Sequence, residues 1–185
     1  MIHEIREEFF DLPLENYVLT FDDGLYSQFY YYPEFAKIPT EKYYFVSSGI
    51  ICNGEQSMGF PDCETAHGKA RSGNFEDYMT VEQISYLLQQ PNVVVGGHSH
   101  SHTSLTNFDR ITHKLMHLSH DINEMVEWFT NVLGHHPHAF CFPYNDDMGT
   151  HYRSMYIELL KRYGYTQFFG AERIPIESLI PTAGK

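Results

Sequence analysis

An acidic pair, Asp22-Asp23, closes the apolar run Val18-Leu19-Thr20-Phe21 and is followed by Gly24. Halfway along the chain stands a histidine string, His98-Ser99-His100-Ser101-His102. One carboxylate and two imidazoles four residues apart can hold a divalent ion, and the second carboxylate is then left over. Three protein ligands with an open position is the pattern of a catalytic zinc site, whereas structural zinc is usually closed by four. A spare acid beside such an ion can take a proton from water, so these residues point to metal-assisted hydrolysis.

Spacing constrains how the pieces must be held. Neighbouring residues on an extended strand point to opposite faces, so the chain must turn if Asp22 and Asp23 are to serve one site, and Gly24 permits that turn. The competing reading is an Asp-Gly hairpin turn. It is weakened because residues 25–35 do not alternate apolar and polar as a returning strand should. On a strand, the Cα atoms of His98 and His102 would lie roughly 13 Å apart. On a helical turn the same spacing brings them to about 6 Å, so a turn beginning at His98 is expected. His100 then points elsewhere. The competing reading here is a polar loop that happens to carry three histidines.

The elements that would carry these groups are legible from short apolar runs. Residues 17–21, 43–48, 93–97, 139–142 and 165–169 read as buried strands, bounded by turn-formers and rich in β-branched or aromatic side chains. Between them, residues 80–90 start with a Thr cap and carry Glu82 in the first turn, which marks a helix start. Residues 111–133 form the longest predicted helix, with Leu115, Leu118, Ile122, Met125 and Phe129 as its core-facing stripe and Gly134 as its cap. Residues 152–163, closed by Gly164, are another helix. Residues 49–74 lack periodicity and read as a long loop. Strands separated by helices predict an α/β fold on a mainly parallel sheet, open or rolled into a barrel.

Other histidines are set aside. His113, His117 and His120, with Glu124, lie opposite the apolar stripe and are expected on the solvated side of that helix. His135, His136 and His138 surround Pro137 and read as turn residues. No GxSxG elbow occurs, and Gly96-Gly97 is too sparse for a phosphate loop.

Composition bounds the rest. At 185 residues the chain is read as a single domain, residues 1–185, large enough for one substantial core. A formal charge of −12 argues against non-specific nucleic-acid binding, which needs clustered Lys and Arg. No apolar stretch reaches the roughly 18 residues of a membrane span. The first eight residues carry no basic run or apolar core of a secretory signal, so cytoplasmic residence is the expectation unless a leader has been lost. Three cysteines, Cys52, Cys63 and Cys141, form no CxxC, and neither a disulfide framework nor a thiolate zinc site is implied. Oligomeric state is not encoded in any of these features.

With those residues in view, the chain resembles the polysaccharide deacetylase family of metal-dependent hydrolases. Thr20-Phe21-Asp22-Asp23-Gly24 matches the family's TFDDG, and His98 to His102 matches H-[ST]-x-x-H. Ser104-Leu105-Thr106 is similar to the SLT that often follows, and Phe140-Cys141-Phe142-Pro143-Tyr144 is similar to the third motif. The resemblance implies a distorted (β/α) barrel of mainly parallel strands, with its site at their carboxyl ends. It implies N-deacetylation of an N-acetylated sugar, with Asp22 as catalytic base and with Asp23, His98 and His102 holding a divalent metal. Zinc is the first expectation for that ion; cobalt, nickel or iron suit the same ligands. The backbone amide of Tyr144 would help to stabilise the oxyanion. Two departures stand out: Cys141 lies near the place of an Arg common in the third motif, and no Leu-x-His, which carries the family's acid histidine, occurs near the C-terminus. The proton for the departing amine would then come from His100, Tyr144 or a water. The alternative is a metal- and carbohydrate-binding domain of the same fold with impaired turnover; a non-sugar amide hydrolase on the same barrel is a third reading.

Overall fold

The apolar runs become short strands and the amphipathic segments become helices, in alternation. A computed structural model describes residues 5, 7–145 and 149–170. Along the chain come β1 (Leu19–Phe21), α1 (Tyr26–Tyr30), α2 (Tyr32–Phe35), β2 (Lys42–Val46), α3 (Cys63–Ala70) and α4 (Val81–Leu88). They are followed by β3 (Val93–Gly97), α5 (Ile111–Leu133), β4 (Ala139–Cys141), α6 (Gly149–Arg162) and β5 (Gln167–Phe169). The strands form one sheet in the order β1-β2-β3-β4-β5. Pairs β1–β2, β3–β4 and β4–β5 are parallel, with Leu19 opposite Lys42, Gly97 opposite Phe140 and Ala139 opposite Gln167. The α/β class is therefore as expected. Parallel strands in sequential order are the arrangement of a distorted (β/α) barrel, whereas a doubly wound sheet reverses its order at a switch point.

The described residues fall into two compact units, one of residues up to Tyr44 with Ile51–Val94, the other of Phe45–Ile50 with Val95 onward. In the first, Phe21 stacks on Tyr44 with ring centres 4.6 Å apart and meets Phe35 edge-on at 4.8 Å. Ile84 and Leu87 of α4 are buried in the same unit. Thr80 caps α4: its hydroxyl accepts from Gln83 N, and Gln83 Oε1 accepts from Thr80 N at 3.0 Å, closing a capping box. The expectation of an unbroken loop over residues 49–74 is corrected here, because α3 lies within it. Only Ala66 and His67 of α3 are buried, too few to print an apolar period on the sequence.

In the second unit, Leu118, Ile122, Met125 and Phe129 form the buried stripe of α5, and Leu115 is half-buried at its edge. Gly134 ends the helix with φ 60°, the left-handed cap that its position predicts. Phe140 of β4 meets Tyr156 of α6 at 5.3 Å and Tyr165 at 5.9 Å. The last two residues of β3 are glycines for a packing reason. A Cβ on Gly96 would stand 2.7 Å from Ala139 O and from the Phe45 ring, and one on Gly97 2.7 Å from Met125 Sδ. Gly96→Ala is therefore expected to destabilise the protein by about 1–3 kcal/mol. Urea denaturation would show this as a lower midpoint at unchanged slope; an unmoved midpoint would mean that backbone and ring both yield at no cost. None of the described helices is long and apolar enough to cross a membrane. Residues 171–185, in which the sequence places no histidine, lie outside the described residues.

Candidate metal centre

The acidic pair sits where β1 stops, in the first unit. Asp22 and Asp23 are both buried at 1% exposure. The turn that separates their directions is made by two residues in the left-handed region, Asp23 with φ 74° and Gly24 with φ 79°. Gly24 was the expected hinge; Asp23 sharing the strain is new. Gln28 on α1 donates its Nε2 to Asp22 O at 2.5 Å and so fixes the backbone there. Beside the pair stands the start of α3, capped by Asp62, whose Oδ1 accepts from Thr65 N at 2.7 Å. Cys63 Sγ donates to Asp23 Oδ2 at 3.0 Å and lies 3.5 Å from His67 Nδ1. His67 Nε2 is 3.6 Å from Asp23 Oδ1. Burial pushes the Cys63 thiol well above its ordinary range, and the charge of Asp23 with its hydrogen bond adds to this, followed by Asp22 and Asp62.

The histidine string sits in the second unit, just past β3. It is not the helical turn expected. Ser99 (φ 65°) and His102 (φ 50°) both take left-handed backbone, and the bend they make brings the rings of His98 and His102 to 5.0 Å between centres. His98 is fully buried and His102 is 7% exposed. The end of β2 and the segment after it anchor the bend along its length: His98 N donates to Val46 O, Ser48 N to Ser99 O, and Gly49 N to His100 O. Ser47 Oγ donates to His98 O at 2.9 Å. His98 Nδ1 lies 2.8 Å from Cys141 O. A carbonyl oxygen only accepts, so Nδ1 carries the proton and the lone pair of Nε2 is the one offered to a ligand. This is how a metal-binding histidine is usually oriented, and on that observation the His98/His102 pair fits a divalent ion.

Three neighbours shape the bend. His100 points away, as expected, with Nδ1 2.9 Å from Ser48 Oγ and Nε2 3.6 Å from Glu124. Tyr144 (φ 61°) lays its ring 4.6 Å from that of His102 and donates its hydroxyl to His102 O at 3.1 Å. Asp121 on α5 is the residue sequence reasoning missed. It is 4% exposed and accepts from His100 N at 2.8 Å and from Ser101 N and Oγ at 2.8 and 2.5 Å. Its signal was in plain view, since it is an acid beside Leu118 and Ile122 on the core-facing stripe. Of the set-aside histidines, His120 is exposed as expected, while His117 is partly covered by Phe108.

Asp121→Ala would leave two amide donors without their acceptor, at about 1–3 kcal/mol for each group buried. Loss of such an outer support typically weakens metal binding about 10–100-fold. Zinc titration of the variant by calorimetry is expected to show that loss; wild-type affinity would mean that the bend holds itself.

The structure thus brings His98, His102 and Tyr144 together in one unit, and Asp22 and Asp23 together in the other. The family model described as polysaccharide deacetylase matches residues 13–168. No curated protein matches the sequence. Among solved structures, IcaB from Ammonifex degensii is 21% identical with TM-score 0.58, over 83% of this chain and 58% of that one. A de-N-acetylase from Aggregatibacter actinomycetemcomitans is 14% identical with TM-score 0.62, over 92% of this chain and 71% of that one. The BpsB deacetylase domain from Bordetella bronchiseptica is 14% identical with TM-score 0.61, over 83% of this chain and 63% of that one. At these identities the likeness establishes a shared fold, and the present chain spans little more than half the length of the IcaB chain.

Proposed function

The chain belongs to the polysaccharide deacetylase family, and from that premise we propose that it removes acetyl groups from the amide nitrogen of an N-acetylated sugar in a metal-dependent hydrolysis. The single domain of residues 1–185 would act on a precursor for surface polysaccharide, in the cytoplasm. Asp23, His98 and His102 would hold the ion, with zinc ahead of cobalt, nickel and iron. The observation that carries this reading is the His98/His102 pair, with buried rings 5.0 Å apart and His98 Nδ1 committed to Cys141 O.

When bound, a divalent ion supplies Lewis acidity, polarising a carbonyl and lowering the pKa of water towards 7. The chain's own groups do the rest. Asp22 accepts the proton of the attacking water as oxygen adds to the acetamide carbon. The main-chain N–H of Tyr144 donates to the carbonyl oxygen as it gains charge. The C–N bond then breaks; acetate leaves, and the proton taken up by Asp22 balances the one that the amine requires. Tyr144, with its ring on His102, also screens that imidazole from solvent.

The test is acetate release from N-acetylglucosamine oligomers by zinc-loaded protein, with a chelated sample beside it. Release that stops on chelation and returns with zinc supports the reading. Stoichiometric zinc and tight glycan binding without acetate would favour the impaired-turnover alternative.

A further inference from the structure

We propose that Asp23, Cys63 and His67 form a zinc-binding site in which carboxylate, thiolate and imidazole all come from the first unit. One donor atom from each lies within 4.8 Å of the others. Bond lengths of about 2.0–2.3 Å and tetrahedral angles put the donors of one zinc roughly 3.3–3.8 Å apart. Of the distances found, 3.5 Å from Cys63 Sγ to His67 Nδ1 and 3.6 Å from His67 Nε2 to Asp23 Oδ1 fall in that range, while 3.0 Å from Sγ to Asp23 Oδ2 is a hydrogen-bond length that must open, and a bound ion would take only one of the two imidazole nitrogens. Small rotations of the side chains are enough to admit an ion.

The scaffold supports this use. Cys63 and His67 stand four residues apart on α3, so they lie on adjacent turns of one face. The Asp62 cap holds that end of the helix, and Asp23 is held by the turn after β1. His67 is buried at 8% exposure, with its ring 6.3 Å from that of Tyr78 in a stacked orientation. Cys63 is partly buried, and a solvent molecule would complete the fourth position of a tetrahedral ion. A sulfur donor selects zinc-like ions over magnesium and calcium, which prefer oxygen throughout. Without an ion the thiol keeps its proton and donates it to Asp23, which is the arrangement observed. Binding one ion forms the S–metal bond and releases that proton to solvent.

This set shares Asp23 with the function proposed above and differs from it in its other two ligands, Cys63 and His67. The test exploits the sulfur. Apoprotein is titrated with cobalt(II) and followed by absorption, because a thiolate ligand gives a near-ultraviolet charge-transfer band that carboxylate and imidazole alone do not. The band is expected in the wild type and in His98→Ala, to be displaced by zinc, and to vanish in Cys63→Ser and His67→Ala. Cys52→Ser, which removes a different thiol, should keep it. Calorimetric zinc affinity at this site should fall by more than about 100-fold in Cys63→Ser, beyond what loss of an outer support does. No band in the wild type, or one that survives Cys63→Ser with circular dichroism unchanged, would overturn the proposal and leave these residues as a hydrogen-bonded network only. Acetate release is a separate readout: its failure with the band intact would remove the deacetylase reading and leave this site standing.

Discussion

Asp22→Asn is expected to slow acetate release by about 10²–10⁴-fold, the usual contribution of a positioned general base. The substitution keeps the shape of the side chain and the bond from Gln28 Nε2 to the main-chain oxygen of residue 22. Bound zinc and thermal midpoint should therefore stay near wild type while kcat falls. That combination separates a lost base from a broken fold, because damage to the turn would lower metal content and stability as well. Full activity in this variant would remove Asp22 from the reaction. Activity lost together with zinc would make it a ligand instead.

His98→Ala should have the second large effect. Outer supports of a metal site are worth about 10–100-fold in affinity, and removal of a ligand exceeds that. The expected result is loss of chelatable zinc from the histidine site, with acetate release falling to background at any attainable zinc concentration. The variant also loses the bond from His98 Nδ1 to the Cys141 carbonyl, so stability should drop by about 0.5–1.5 kcal/mol. Stability must be read beside elemental analysis for that reason. A variant that keeps its zinc stoichiometry and its turnover would end the case for His98 as a ligand.

Where sequence and structure agree, strong punctuation is the cause. The strand at residues 93–97 and the helix at 111–133 have the predicted bounds, because Gly96-Gly97 and Gly134 mark their ends and the apolar period of the helix is long. The strands predicted at 17–21 and 43–48 came out as Leu19–Phe21 and Lys42–Val46, since hydrophobic runs extend past the pairing that defines a strand. The histidine string forms a bend where its spacing predicts a helical turn, and its rings are close for a different backbone reason. Non-glycine residues seldom adopt positive φ, so nothing in Ser99 or His102 announces the two left-handed residues that make it. Cysteine spacing alone gives no sign of the contacts that Cys63 makes. Its partner Asp23 lies 40 residues away, and no local pattern joins the two.

The tie between Asp121 and the amides of His100 and Ser101 has a consequence for how this molecule breathes. A surface bend normally opens on its own, at little free energy, as one of the least protected parts of a protein. This one is fastened to the middle of a 23-residue helix whose neighbouring side chains are core. Its amides can exchange with solvent only when the carboxylate lets go or the helix itself unwinds, so the bend inherits a rigidity that its own residues could not supply.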